Sequence, residues 1–541
     1  MRDRLLPRRL HAAALWTAAA TLAAIPAVPS GEGLAIAEPS VTAAVRSGDL
    51  AAVQDLLAAA VDVNEPTADG TTALHWAVHR DDPALVELLL DAGAEVSVVN
   101  RYGVMPLMLA VSNGHAGIVD RLLRAGADSE AAMPGGETAL MAAARTGAPG
   151  VVRILLESGA NQNVTEQAGQ IPLMWAAAHN NADAIELLVT RGADVHARTP
   201  VQDPTPSRSY FSSPPATGFT PLLFAVRGGQ LDATRVLLDA GANVNDTLSD
   251  GQSALVVAVA NANWELANYL LDRGADPTLA GAGWNALHQT VRTRRPNPSG
   301  GLAGPIPTGR VDSIDVVRKL IAHGVDVDTR MTRNGMKDGQ RSRLNRLGAT
   351  AFFLAAKNTD VEAMRVLIDA GADAAITSAD GTTPLMVAAG VAIFIPGEDG
   401  GSLPGQEHEV LEAVQLCVEL GTDVNAVNER AETALHGAAF RGVNAVVDYL
   451  VDHGAKLDAK TVEGWTPLAL ANGLSYSDFY KAQVHTADRL RELMQVRGLE
   501  TAGHGIDPSV CLDCFQTRPD QVRAAIVRDG KMAAELAAGL R

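Results

Sequence analysis

A Cys-x-x-Cys pair near the C-terminus, Cys511 and Cys514, has a spacing that can support chemistry. Two thiols at this spacing can close a local disulfide, exchange disulfides as a redox pair, or give two ligands to zinc. Covalent haem attachment needs a histidine directly after the second cysteine, and Phe515 stands there. A zinc site needs two more ligands, and only His504 is near. We therefore predict a local disulfide, with a redox-active pair as the alternative and without a metal.

Positive charge is concentrated between residues 285 and 350, which we call the basic segment. It contains five acidic and twelve basic residues, whereas the whole chain has a net charge of −18. A basic segment in an acidic chain can steer an acidic patch on another protein, whereas the overall acidity argues against nucleic acid. The alternative is that its arginines pair with acidic residues of neighbouring elements. The candidate partner-binding cations are Arg292, Arg294, Arg295, Lys337, Arg341 and Arg343.

The sequence carries no recognisable motif for catalysis. It lacks a glycine-rich phosphate loop, a nucleophile elbow and a helix with paired metal ligands. Its scattered Asp and Glu residues are typical of solvated surfaces. We therefore predict a protein that is not an enzyme and uses no cofactor. Its function is then expected to depend on the secondary-structure elements that position its surface residues.

Those elements recur at a fixed spacing. Leu74, Leu107, Leu140 and Leu173 follow one another at a constant interval and lie in tetrapeptides of the Thr-Ala-Leu-His type. A fixed interval of about 33 residues is the signature of a repeat array. The later members of the series keep this period, shorten it by a single position, or add an insertion to it. These later members are Leu222, Leu255, Leu287, Phe352, Leu385, Leu435 and Leu468.

Each repeat reads as two helices and an extended connection. Between residues 69 and 94, a Thr-Ala-Leu-His-Trp-Ala-Val stretch predicts a short helix, and Ala-Leu-Val-Glu-Leu-Leu-Leu predicts a longer one. A threonine can cap the first helix, and a following proline suits its first turn. A glycine step such as Gly93 ends the second helix, where the backbone needs a positive φ.

This pattern resembles the ankyrin-repeat family over roughly residues 41–498. Eleven units carry the tetrapeptide, and one incomplete unit (residues 41–64) precedes them. The resemblance implies an all-α solenoid of about twelve helix–loop–helix units with projecting loops and a concave face that binds a partner. It also implies that His75, His288 and His436 form hydrogen bonds between repeats. We therefore expect these histidines to be structural, with no metal bound.

Aromatic residues give a further set of candidate contacts. In the family's pattern the residue after the repeat glycine is exposed on the projecting loop, and here Phe219, Trp284 and Trp465 stand where threonine is usual. Exposed aromatics beside arginines are typical interface anchors. Trp284 adjoins the basic segment and is the leading candidate. Trp76 and Trp175 occupy first-helix positions, where we expect them to pack between units.

An alternative place for the interface is in the N-terminal repeats, around Tyr102 and Arg145. The departures from the period predict insertions near residues 199–216, 293–309, 332–346 and 390–408. The proline and glycine residues within these segments predict that all four are non-helical. Residues 499–541 form a tail with the cysteine pair and a helix-compatible stretch from 519 to 540, whereas Cys417 is expected to be a buried free thiol.

The N-terminus reads as a secretory signal. Arginines precede an apolar run from residue 10 to about residue 28, and Ala35-Ile36-Ala37 fits the cleavage rule. We expect cleavage after about Ala37, with an uncleaved membrane anchor as the alternative. No other segment is long and apolar enough to cross a bilayer, and the bias of Arg over Lys suggests a bacterial source. The expected location is therefore the periplasm or the extracellular space.

The function predicted from these features is a non-catalytic scaffold or adaptor. It binds another protein through the concave face and loops, and it is expected to be a monomer. The alternative is a redox accessory protein that acts through Cys511 and Cys514, with the repeats as a docking platform. A third possibility, an intracellular regulator, requires the N-terminal signal to be spurious.

Overall fold

The computed structural model describes residues 40–201, 217–295, 305–307, 309–334, 344–393, 407–473 and 482–502, and in the tail 531–532, 534–536 and 538. Several predicted features lie outside this part of the chain. They are the signal segment 1–37, the cations Lys337, Arg341 and Arg343, the pair Cys511 and Cys514, and the main part of the insertions. The account below concerns the described residues.

The described residues form 24 helices in twelve pairs and no strand. Two compact units divide the chain after Tyr102. The first unit holds repeats 1 and 2, and the second holds repeats 3 to 12. In each repeat we call the helix that comes first along the chain the first helix and the one that follows it the second helix. The prediction of an all-α repeat fold with about twelve helix–loop–helix units is confirmed.

The helices of the first unit are α1 Val41–Ser47, α2 Leu50–Ala58, α3 Ala73–His79 and α4 Pro83–Asp91. Those of the second unit are α5 Pro106–Asn113, α6 Ala116–Arg124, α7 Ala139–Thr146, α8 Pro149–Glu157, α9 Pro172–Ala178, α10 Ala182–Thr190, α11 Pro221–Arg227, α12 Leu231–Asp239, α13 Ala254–Ala260, α14 Trp264–Asp272, α15 Ala286–Arg294, α16 Ser313–Ala322, α17 Ala351–Lys357, α18 Val361–Asp369, α19 Pro384–Ala389, α20 Glu407–Glu419, α21 Ala434–Arg441, α22 Asn444–Asp452, α23 Pro467–Ala471 and α24 Val484–Val496.

The tetrapeptide starts each first helix as its residues predict. In α7 the Thr138 hydroxyl accepts a hydrogen bond from the Met141 amide, which otherwise lacks a partner at a helix N-terminus. Pro221 occupies the first position of α11, where no amide hydrogen is needed. The leucine of each tetrapeptide points into the stack, and Leu140 is only 1% exposed. The repeat signature therefore encodes both a cap and a core contact.

Eleven of the twelve second helices in the described residues end at a glycine in the left-handed region; in repeat 1, Ala60 takes this position with φ +58°. Gly159 after α8 has φ +91°, and the next amide, of Ala160, donates to the Leu155 carbonyl. A side chain is strained at this φ, which is why glycine recurs at the step. The chain can then turn into the loop that leads to the next repeat.

Asparagine amides join successive loops. The Asn163 amide donates to the Gly192 carbonyl at 3.1 Å, and its oxygen accepts from the Asp194 backbone amide at 2.9 Å. Asn425 repeats the arrangement with Gly454 and Lys456 at 2.9 and 3.0 Å. We call these contacts the asparagine ladder, because each one satisfies backbone groups of the following repeat.

The insertions interrupt the stack without breaking the pairing of helices. The predicted insertion at 293 begins later, because α15 continues to Arg294. The insertion at 390–408 lies between α19 and α20, as its position in the period predicts. A fifth insertion, between Ala471 of α23 and Val484 of α24, was missed. It follows the last tetrapeptide, so no later member of the series reveals the extra length.

Among the described residues, no helix has the length and apolar character that crossing a membrane requires. In the tail, residues 531–532 and 534–536 are helical. Met532 is buried and packs beside Gly348 in repeat 9.

Candidate functional site

Two of the three tetrapeptide histidines, His436 and His288, bond to the next repeat as expected, and His75 is buried and bonded to Thr72. His436 Nδ1 accepts from the Thr433 amide at 3.1 Å, and its Nε2 lies 3.1 Å from the Trp465 carbonyl oxygen in the next repeat. His288 makes the equivalent contact with the Thr329 carbonyl at 3.0 Å. Burial lowers the pKa of both imidazoles to about 4. These rings are therefore neutral at physiological pH and hold adjacent repeats together.

No group of three or more metal-ligating side chains converges within the described residues. Cys417 in α20 is buried and forms no disulfide, as the sequence predicted. Burial raises the pKa of its thiol to about 12. It is therefore an unreactive part of the core, because the thiolate is the reactive species.

The basic segment is not the free cationic surface that was expected, because Arg294 and Arg295 are paired with carboxylates. The Arg294 side chain is only 7% exposed and pairs with Asp360, whose side chain is fully buried, at 2.8 Å and with Glu362 at 2.7 Å. Its Nη1 donates to the Ser313 hydroxyl at 2.7 Å. Burial opposes the charge of Arg294, but the two carboxylates outweigh it and raise its pKa. Arg294 therefore joins repeats 8 and 9.

Arg295 extends this ionic cluster to a third repeat. Its Nη1 lies 2.6 Å from a carboxylate oxygen of Glu409, at the start of α20, and donates to the Thr359 carbonyl at 3.3 Å. The expectation that Arg294 and Arg295 form an exposed steering patch is therefore wrong, and pairing with acidic neighbours is the correct interpretation. The partners are 64 to 114 residues away in sequence. Arg292, one turn earlier on α15, is half-buried and also engaged within the protein.

Two of the three loop aromatics are buried, so the expectation that they are exposed anchors is wrong. Trp465 is 8% exposed and packs with Ile393, Phe440 and Leu470. Phe219 is also 8% exposed, and its ring lies 5.0 Å from that of Phe224. The apolar rings fold back over the first helices instead of pointing into solvent. The glycine one residue earlier has a positive φ, +76° at Gly218 and +84° at Gly464, which a side chain disfavours.

The remaining aromatic candidates are accessible to different degrees. Trp284 is half-buried, and its indole nitrogen is buried without an acceptor among the described residues. Tyr102, at the end of the first unit, is 60% exposed. Trp76 and Trp175 were expected in the core, but both are only half-buried. The first helices therefore present aromatic surface that the sequence pattern did not reveal.

Charge is divided between the two helix layers of the repeats. None of the twelve first helices in the described residues contains Asp or Glu, although the chain has 62 acidic residues. Second helices carry both signs, with acidic residues in the majority. The Arg and Lys residues of the first helices are Arg46, Arg145, Arg227, Arg292, Arg294, Lys357 and Arg441. The exposed side of the first helices is therefore apolar or cationic.

Arginine stacks on tryptophan twice, once in each unit. The guanidinium carbon of Arg46 lies 5.5 Å from the Trp76 ring centroid, and that of Arg145 lies 5.8 Å from the Trp175 ring. In both pairs the arginine lies near the end of one first helix, and the tryptophan lies on the first helix of the next repeat at the same separation in sequence. Both indole nitrogens are buried without an acceptor in the described residues. Because the repeats are periodic, the same Arg–Trp contact forms at two places.

A third cation lies close to aromatics in repeat 6. Arg227 is exposed, and its guanidinium carbon lies 5.4 Å from the Phe219 ring centroid. Phe224, one turn earlier on α11, is half-buried. We call the exposed side of α5, α7, α9 and α11 the first-helix face; it is the candidate site. Its members include Leu109, Arg145, Thr146, Trp175, Phe224 and Arg227.

Comparison with known proteins agrees with this architecture. A family model for ankyrin repeats (3 copies) matches residues 41–133, 107–199, 206–280, 310–392 and 406–482, together more than half of the chain. The nuclear factor NF-kappa-B p105 subunit of Gallus gallus is 31% identical over 176 residues, or 32% of this chain and 15% of that protein. The probable E3 ubiquitin-protein ligase XBOS33 of Oryza sativa subsp. japonica is 31% identical over 190 residues, or 32% of this chain and 35% of that protein.

The chain thus spans from about a seventh to about a third of the length of these curated relatives. Among solved structures, the human ASB11 ankyrin repeat domain is similar at 27% sequence identity with a TM-score of 0.37. That match covers 44% of this chain and 98% of the other.

Proposed function

Because the chain belongs to the ankyrin-repeat family, we propose that it is a non-catalytic scaffold that binds another protein through its first-helix face and loops. Ankyrin repeats generally mediate protein–protein interaction. Stacked repeats offer a large surface that is ordered before binding, which lowers the entropic cost of holding an extended partner. Fold alone does not assign a function, so the proposal depends on the surface itself.

The observation that carries the proposal is the composition of the first-helix face. Leu109, Trp175 and Phe224 are half-buried and leave part of their apolar surface accessible, without an acidic side chain on their helices. Aromatic residues and arginine are enriched in the centres of protein interfaces. The second helices, by contrast, show the mixed charges of an ordinary solvated surface. We infer that the partner contacts the first helices.

Site-specific crosslinking tests this assignment. A photo-reactive amino acid replaces Thr146, which is exposed at the end of α7, or Arg153, which is exposed on α8 of the same repeat. Irradiation in the native cells, followed by purification, should recover a defined protein adduct from position 146 and little from position 153. Equal adduct formation at both positions, or none at position 146, would remove the first-helix face as the binding surface.

We further propose that the protein is bacterial and acts in the periplasm or outside the cell. The support is the arginine-rich start, the apolar run and the Ala35-Ile36-Ala37 sequence. N-terminal sequencing of the natural protein should then give a chain that begins near Glu38. A chain that retains residues 1–37 would contradict cleavage and favour an anchor or an intracellular protein.

A further inference from the structure

Two Arg–Trp pairs in equivalent positions combine a stacked arginine with a buried indole N–H that has no acceptor among the described residues. In repeats 4 and 5, Arg145 stacks on Trp175, and the indole Nε1 of Trp175 is buried with no acceptor among the described residues. Arg46 and Trp76 repeat this arrangement in the first unit. A buried donor without an acceptor is costly, so a recurrence at the same register calls for an explanation.

We propose that the first-helix face of repeats 4 to 6 binds an extended acidic polypeptide segment. Carboxylates of the segment pair with Arg145 and Arg227. The side chains around Trp175 shift on binding, so that its Nε1, which is buried in the free protein, donates a hydrogen bond to an oxygen of the segment. The Arg46–Trp76 pair provides a second position of the same chemistry in the first unit. This inference rests on the proposed function and specifies the chemistry of the partner.

Stacking leaves the hydrogen-bonding edge of a guanidinium available. A guanidinium lying over an aromatic ring uses its flat face, and its N–H groups point outward in the plane, where they match a carboxylate. Arg227 is exposed and has no carboxylate partner among the described residues. Arg145 has one, because its Nη2 lies 3.1 Å from Glu137, but its side chain remains 28% exposed. The two arginines are therefore oriented and not fully neutralised.

The helix dipole alone does not explain this surface. It favours cations in the last turn of a helix, where Arg145 and Arg227 lie. The same dipole favours acidic residues in the first turn, yet no first helix has one there. Nor does it place an aromatic ring beneath both arginines. Charge complementarity to an acidic segment accounts for the absence of acidic residues, and the rings hold the two guanidinium groups in place for the carboxylates.

A nucleic acid is a less suitable occupant than an acidic peptide. The chain carries a net charge of −18, and acidic side chains dominate the second helices. A polyphosphate backbone follows a continuous track of cations. The isolated, stacked arginines of the first-helix face suit separate carboxylates with apolar side chains between them, because Leu109, Trp175 and Phe224 offer apolar contacts.

Fluorescence anisotropy with the full chain tests the proposal. The probes are labelled 12-residue peptides in which leucine alternates with Glu, Gln or Lys, and a 12-nucleotide single-stranded DNA. We expect the Glu peptide to bind at least about tenfold more tightly than the Gln peptide at low salt, since charge-assisted bonds are stronger than neutral ones. This advantage should shrink as salt rises, because exposed charges are screened.

Matched variants separate the face from the rest of the molecule. The double variant R145Q/R227Q should weaken binding of the Glu peptide at least about tenfold. The control R153Q/R235Q makes the same charge change on the second helices of the same two repeats, and we expect less than a twofold effect. Trp175→Phe keeps a ring but loses the donor, so it should weaken binding by about twofold to tenfold. Circular dichroism confirms that each variant is folded.

Several outcomes would overturn the proposal. They are equal affinity for the Glu and Gln peptides, no binding of any peptide, tighter binding of the DNA, or an equal loss in the control variant. The proposed function has a separate test, because an adduct at position 146 would still identify the first-helix face. An adduct there combined with binding that is insensitive to charge would leave the scaffold in place and exclude an acidic partner segment.

Discussion

The Nε2 atom of His436 lies 3.1 Å from the carbonyl oxygen of Trp465, 29 residues later in the next repeat. The imidazole can donate this bond only through Nε2, because Nδ1 accepts from the Thr433 amide on its own helix. One neutral side chain thus satisfies a backbone donor in repeat 11 and a backbone acceptor in repeat 12. His288 makes the equivalent Nε2 contact with the Thr329 carbonyl oxygen, at 3.0 Å.

These histidines make stability depend on pH. Burial lowers the pKa of His436 to about 4 from an ordinary value near 6.5. Between about pH 6.5 and pH 4 the unfolded chain takes up a proton that the folded chain does not, so the free energy of unfolding falls as pH falls through this window. The loss ends below about pH 4 and amounts to at most about 3 kcal/mol per histidine.

His436→Gln should therefore flatten the pH dependence of the urea midpoint between pH 6.5 and 4. His485→Gln serves as the control, because His485 is exposed, and we expect it to follow the wild type. An unchanged pH profile in His436→Gln would contradict the assignment of a buried neutral ring.

The ionic cluster in repeats 8 to 10 leads to a prediction about stability, replacing the one about steering. Arg294→Gln leaves the fully buried carboxylate of Asp360 without its main partner. Removing one member of a buried pair typically costs about 3–5 kcal/mol. Arg318→Gln breaks an exposed pair with Asp315 and should cost less than about 0.5 kcal/mol. Hydrogen exchange in α15 to α18 measures both, and equal protection in the two variants would contradict the cluster's role.

The sequence was sufficient for the fold because the fold is periodic. The tetrapeptide gives a cap, a core leucine and a register in each repeat, so Leu140 and Thr138 behave as predicted. It was insufficient for the basic segment, because Asp360, the buried partner of Arg294, and Glu409, the partner of Arg295, lie 66 and 114 residues away along the chain. Those contacts exist only once the repeats are stacked.

The candidate site was predicted only in part for a related reason. The family pattern describes an average repeat, in which the residue after the loop glycine is exposed. Trp465 instead gains more by packing on Phe440 and Leu470, and it is buried. The Arg145–Trp175 pair was visible in the sequence only as an arginine-to-tryptophan spacing that Arg46 and Trp76 share. Only the orientation of the first helices shows that this spacing brings the two side chains into contact.

Damage to one repeat should remain local. Leu155 is fully buried in the middle of α8, and Leu155→Pro removes a backbone donor and places the proline ring against the preceding turn. Because each repeat of a solenoid contacts mainly its neighbours, we expect hydrogen-exchange protection to fall in repeats 3 to 5 and to persist in repeats 8 to 12. Leu155→Ala is a milder control that should cost about 2–5 kcal/mol. Uniform loss of protection across the second unit would show that it unfolds as one cooperative block.

One position in the asparagine ladder can be improved. Asp328 stands where other repeats have Asn163 or Asn425, and its carboxylate accepts from the Asp373 amide at 2.9 Å. A carboxylate cannot donate to the loop carbonyl as those asparagines do. Burial raises the pKa of Asp328, and the nearby charges of Asp326 and Asp373 raise it further. The ionised form is therefore disfavoured in the folded state.

Asp328→Asn should thus stabilise repeats 8 and 9 by about 1 kcal/mol at neutral pH, since it adds one hydrogen bond and removes one charge. Because the pKa of Asp328 is raised in the folded state, the folded state binds the proton more readily than the unfolded state. The loss of stability that the ionised Asp328 causes in the wild type therefore becomes smaller as pH falls through that pKa. The advantage of Asp328→Asn should therefore be largest above pH 6 and shrink towards pH 3. Asp423→Asn is a control in the equivalent loop of repeat 10, at an acidic residue two positions before the ladder asparagine Asn425. Urea midpoints of both variants across this pH range measure the effect, and an advantage that grows in acid would contradict the assignment.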